Sequence, residues 1–81
     1  LQPNPFHSTT NFKFTMTESS HVTINVYDLT GRMITTVFDG FVNADEERSA
    51  EFDAGSLTNG IYVYRVVTDN KVHSGRMILV K

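Results

Sequence analysis

The chain of 81 residues has no cysteine, no long apolar run and no marked excess of either charge. Without cysteine there is no disulfide to staple the fold, and no thiolate to serve as nucleophile or metal ligand. A membrane-spanning helix needs about 18 or more consecutive apolar residues, and none of the apolar runs approaches that. The formal net charge is −2 with the three histidines neutral, which gives no basic face for nucleic acid. No charged stretch leads into an apolar one at the N-terminus, so no secretory signal peptide is visible. The chain opens on Leu1 rather than Met, and Lys81 follows directly on an apolar strand-like run. The expectation is therefore one domain, residues 1–81, cut from a longer protein and carrying its natural C-terminus. A domain of this size buries only about 60% of its unfolded surface, so its stability is marginal by size alone.

What is present is a period of two, with no 3.6-residue period anywhere. In "TNFKFTMT", Thr10–Thr17, Phe12, Phe14 and Met16 face one way. In "HVTINVYD", His21–Asp28, Val22, Ile24 and Val26 do the same. With the polar "ESS" between them, the two read as a β-hairpin. "DLTGR" turns at Gly31, a third strand covers Met33–Phe38, and "DG" at Asp39–Gly40 stops it. A fourth strand covers Arg48–Phe52. "DAGSLTNG" is a loop ending at the turn glycine Gly60, and a fifth strand follows it. "DNK" reverses the chain into a sixth strand over Val72–Val80, with a bulge expected at Gly75. Six to seven short strands with turn signals every 8–12 residues predict an all-β fold, an Ig-like antiparallel β-sandwich in two sheets. The predicted core is Phe12, Phe14, Val22, Ile24, Val26, Val37, Phe52, Tyr62, Tyr64, Val66, Met77 and Leu79.

Catalytic patterns are missing. His7, His21 and His73 stand far apart with no HxH or HExxH spacing, and there is no GxSxG or phosphate loop. The adjacent acids of "NADEE", Asp45, Glu46 and Glu47, lack the interleaved carbonyl ligands that calcium favours and read as a solvated loop. No enzyme activity, cofactor or metal is expected. An aromatic row on Tyr27, Tyr62 and Tyr64 would suit a sugar, but Tyr62 and Tyr64 share the phase of the core.

One stretch breaks the alternation. In "NGIYVYRVV", Asn59–Val67, Tyr62, Tyr64 and Val66 fill one face, yet Ile61, Val63 and Val67 make the other face apolar too. Either the outer face is covered by loops or by Phe38, Phe41 and Leu57, or Ile61, Val63, Ile78 and Val80 form a docking surface or edge for a partner.

The motifs in order are "PNPF", "TTNFKFTM", "VTINVYDLTGR", "FDAGSLTNGIYVYRV" and "GRMILVK". This collinear set, over essentially the whole chain, resembles the C-terminal sorting domain of the type IX secretion system of Bacteroidetes-type bacteria. The Ig-like domain of the flagellar hook-capping protein is similar over "VYDLTGR" and "GIYVYR". The resemblance to the sorting domain implies a non-catalytic signal at the end of a larger secreted protein. It implies passage through the periplasm, recognition by the outer-membrane translocon, and removal near Leu1–Pro5 or upstream by a sortase-like cell-surface peptidase. The cargo then reaches the cell surface or the medium. Recognition in such domains lies in the last strands, here Gly60, Tyr62, Val63, Arg65, Met77, Ile78, Val80 and Lys81, with Gly31, Gly40 and Gly60 as structural turns. β-Augmentation along the same edge would give a weak homodimer. A carbohydrate-binding or adhesive module, or a hook-cap-like structural domain, is the alternative. The acidic "NADEE" loop departs from the glycine-containing turn usual at this place.

Overall fold

The computed structural model describes residues 7–81. The "PNPF" motif and the expected cleavage region around Leu1–Pro5 lie outside the described residues. Six strands account for all the regular structure among them: β1 (Thr9–Thr15), β2 (Ser20–Tyr27), β3 (Met33–Val42), β4 (Glu47–Asp53), β5 (Gly60–Val67) and β6 (Val72–Leu79). β1 and β4 pair into a two-stranded sheet, and the other four form a sheet in the order β3-β2-β5-β6. Every strand pair is antiparallel. This is the predicted antiparallel sandwich, and the alternating residues of the two sheets meet as its core.

Phe12, Val22, Ile24, Val26, Phe52, Tyr62, Tyr64, Val66, Met77 and Leu79 are buried between the sheets, as their phase predicts. Each such side chain contributes about 1.5–3 kcal/mol before conformational entropy is set against it. Phe14 and Val37 are half-buried at the margin of the core, which also takes in Val42, Ala50 and Ala54. Aromatic rings join the layers edge to face: Phe12 meets Tyr64, and Phe14 meets Phe38, each with ring centroids 5.3 Å apart.

Three local expectations are corrected. β1 and β2 do not form a hairpin; they lie in different sheets. Their apolar sets face one another across the core, and alternation alone cannot distinguish strands that are neighbours from strands that are opposed. The crossover between them is fixed from the side, where Ser19 Oγ accepts from Ala44 N at 3.0 Å and Asp45 N donates to Met16 O at 2.8 Å. Secondly, Gly40 is not a turn. β3 runs straight through it, because Val42 continues the alternation and is fully buried, and Gly40 simply pairs with Val22. Register shifts do occur in this pair, beside Ile24–Asn25 and Val26–Tyr27. Thirdly, Gly75 carries no bulge. The β5–β6 ladder is continuous across it, and a Cβ there would overlap the ring of Tyr64. Glycine at this point makes room for an aromatic side chain on the neighbouring strand.

Candidate functional site

The outer faces of the two sheets differ in chemistry. On the two-stranded sheet the outward positions are Thr9, Asn11, Lys13 and Thr15 on β1 and Glu47, Ser49, Glu51 and Asp53 on β4, all exposed. On the four-stranded sheet, β5 presents Ile61, Val63, Arg65 and Val67 outward. Register places Ile61 beside Ile78, Val63 beside Arg76 and Val67 beside Val72. Ile61 is 37% exposed, Ile78 41% and Val80 44%. None of the proposed covers lies over them. Phe38 packs inward on Phe14, Leu57 packs against the core, and Phe41 stands 60% exposed in register with His21. The apolar outer face of β5 and β6 is open to water.

The residues expected to carry recognition divide into two groups. Val63, Arg65, Ile78, Val80 and Lys81 lie on or beside this face and reach solvent. Tyr62 and Met77 point into the core, so they shape the strands from within and offer no contact from outside. Gly60 opens β5 at a φ of 152°, where a side chain would be strained.

The end of β6 is tied down at three points. Lys81 N donates to Asn59 Oδ1 at 3.0 Å, and Lys81 Nζ donates to Gly55 O at 2.7 Å. His7 Nδ1 donates to Val80 O at 2.8 Å. The loop receiving Lys81 is itself ordered, with Tyr62 Oη donating to Thr58 O at 2.7 Å and Leu57 N to Ala54 O at 3.0 Å. Tyr62 thus has an identifiable role, since its buried ring places a hydroxyl under this loop. Nothing in the sequence flags Asn59 as the acceptor for Lys81, 22 positions away.

The "DLTGR" turn after β2 closes around Asp28. Its Oδ1 accepts from Thr30 N at 2.9 Å, from Arg32 N at 3.0 Å and from the Thr30 hydroxyl, and its Oδ2 lies 3.3 Å from Arg32 Nε. The Thr30 hydroxyl above all, with the two backbone amides and the Arg32 charge, holds the Asp28 carboxyl below its ordinary pKa against an opposing desolvation. Gly31, at a φ of 91°, supplies the left-handed residue that this turn requires.

No catalytic constellation forms among the described residues. Among the described residues no group of three or more His, Asp or Glu side chains could hold a metal ion. Tyr62 and Tyr64 are buried, so they make no aromatic platform for a sugar, and burial alone pushes the Tyr64 phenol above its usual pKa.

Comparison with known proteins bears on this arrangement. The family model described as a secretion system C-terminal sorting domain matches residues 1–81. No curated protein matches the chain. Among solved structures, dimeric latent PorU from Porphyromonas gingivalis shares the fold, with a TM-score of 0.74 at 22% identity. That match covers 96% of this chain and 9% of the other, so the present chain corresponds to a small part of that protein. This antiparallel sandwich, matched along its whole length by that model, belongs to the C-terminal sorting domain family, the non-catalytic signal for type IX secretion to the cell surface or beyond.

Proposed function

We propose that residues 1–81 form a single address domain on a larger secreted protein, read by the type IX outer-membrane translocon through the outer face of β5 and β6. The observation that carries this reading is the exposure of Ile61, Ile78 and Val80 on strands whose inner faces already fill the core. Exposed apolar groups cost solubility, and a contiguous set of them marks an interaction surface. Val63 and Arg65 lie within the same face, and Val80 and Lys81 end it at the tied tip. In this reading Tyr62, Met77 and Gly60 hold the face in shape. The domain passes through the periplasm as part of its cargo and is removed at the surface by a sortase-like peptidase. Weak self-association through the outermost strands of the four-stranded sheet belongs to the same proposal, and sedimentation across a concentration series checks it.

The test is a transplant. Residues 1–81 are fused behind a fluorescent reporter that carries an ordinary export signal, and expressed in the parent bacterium and in a translocon-null strain. Reporter outside the cell in the first strain alone is the expected result, and periplasmic reporter in both overturns the reading. Val63→Lys combined with Ile78→Lys should then abolish export while the domain still folds. Normal export of the folded double variant would remove the β5–β6 face from the mechanism.

A further inference from the structure

The outer face of the four-stranded sheet holds a shallow depression close to the "DLTGR" turn. It is lined by Tyr27 of β2, by Asp28, Leu29 and Gly31 of the turn, and by Val63 and Arg65 of β5. Register sets Tyr27 beside Val63 with Arg65 diagonal to Tyr27, so these three outward residues make the floor, and Asn25 lies beside Arg65. Leu29 is 64% exposed and forms an apolar wall.

The two charged groups in the lining are in opposite states. The Asp28 carboxylate is consumed by its own turn, accepting from Thr30 and Arg32 and facing the Arg32 guanidinium. Arg65 is exposed and forms no ion pair among the described residues. Its cross-strand neighbours are the neutral Asn25 and Ser74. β2, β5 and β6 contain no Asp or Glu. Asp39, on β3, is hydrogen-bonded to His21, and β2 separates its strand from β5. In a chain of net charge −2, Arg65 thus stands on this face as a positive charge without an ion-pair partner among the described residues.

A second donor is already oriented. Thr36 Oγ1 donates to Asn25 Oδ1 at 2.8 Å, which turns the Asn25 amide nitrogen toward Tyr27. Asn25 Nδ2 donates to Tyr27 Oη at 3.4 Å. With its oxygen accepting, the Tyr27 hydroxyl has its proton to give.

We propose that this depression binds one Asp or Glu side chain from an otherwise apolar segment of a partner protein. Arg65 and the Tyr27 hydroxyl donate to the carboxylate, and Leu29 and Val63 pack against the flanking apolar groups. Charge-assisted bonds of this kind give geometric specificity, and tyrosine with arginine is the composition of interface hot spots. An anionic lipid surface calls for several clustered cations. A lining with one guanidinium and a nearby carboxylate suits a single carboxylate instead. The proposal rests on the sorting reading above for where the partner resides, namely in the secretion apparatus.

The reporter fusion tests it. Arg65→Glu should lower surface reporter roughly tenfold, and Tyr27→Phe about two- to threefold. Lys13→Glu on the opposite sheet should leave it unchanged. Circular dichroism and melting confirm that each variant folds. Arg65→Lys keeps the charge and supplies an amine. Zero-length carbodiimide coupling should then join that amine to an Asp or Glu of a partner, seen by mass spectrometry only where the translocon is present. Export of Arg65→Glu at the unsubstituted level overturns this inference while leaving the sorting reading intact. Failure of the unsubstituted fusion to be exported overturns the sorting reading itself. No isopeptide linkage, or attachment only to lipid phosphate, overturns the carboxylate assignment even where export of Arg65→Glu falls.

Discussion

On the sheet of β1 and β4, every outward side chain is polar or charged, with one lysine among three carboxylates. On β5 and β6 the outward positions include Ile61, Val63, Val67, Val72 and Ile78, and the charges there are arginines. Both sheets bury the same kind of inner face, so the demands of the core do not explain the contrast. An antiparallel sheet with one wet side is expected to alternate, and the smaller sheet obeys. The larger sheet keeps apolar groups partly in water, Ile61 beside Ile78 and Val67 beside Val72. In the proposed reading that excess is the surface a partner grips.

The comparison can be broken from the inside first. Phe12→Ala should cost about 3–5 kcal/mol in urea unfolding, because Phe12 is fully buried between the sheets. Against a total of roughly 4–12 kcal/mol for a chain of this length, that loss is severe. Gly75→Ala should cost about 1–3 kcal/mol through the clash with Tyr64, although Gly75 lies on the more exposed strand β6. Outward changes should behave differently. Ile61→Thr with Ile78→Thr should shift the unfolding free energy by less than about 1 kcal/mol yet reduce export, while Asn11→Thr with Glu51→Thr should leave both unchanged. A large stability loss from the isoleucine pair would make the apolar outer face structural and remove the contrast.

Smaller effects sharpen the picture. Asp45 sits at a φ of 61° in the "NADEE" loop, where glycine meets no steric penalty. Asp45→Gly should stabilise by about 0.5 kcal/mol, read as a higher urea midpoint. The smallest effect is that of Asp28→Asn. The folded carboxyl has a lowered pKa, so its contribution is full above the unfolded value of about 3.9 and fades as pH falls through the folded value. Thermal melts of the two proteins should therefore differ at neutral pH and converge in strong acid.

The strands and their inward phase are legible in the sequence because period two reports directly on burial. Pairing is not. "TNFKFTMT" and "HVTINVYD" carry the same alternation whether they lie side by side or face to face, and the crossover bonds from Ala44 and Asp45 come from a distant loop. Glycine likewise reads as punctuation, yet Gly40 continues a strand and Gly75 yields space to Tyr64. At the candidate face, Val63, Arg65, Ile78 and Val80 are visible because alternation fails around them. Leu29 and Asn59 are not, since both lie in loops and gain their positions only from tertiary contacts.

The bond from His7 to Val80 has a mechanical consequence. The first described residue lies beside the place where β6 ends, although the molecule is 36 Å along its longest axis. His7 itself is held at the tip of β6 and not at the far end of the sandwich. A receptor that grips that tip therefore grips both ends of the described chain at once, the handle and the start of the rope.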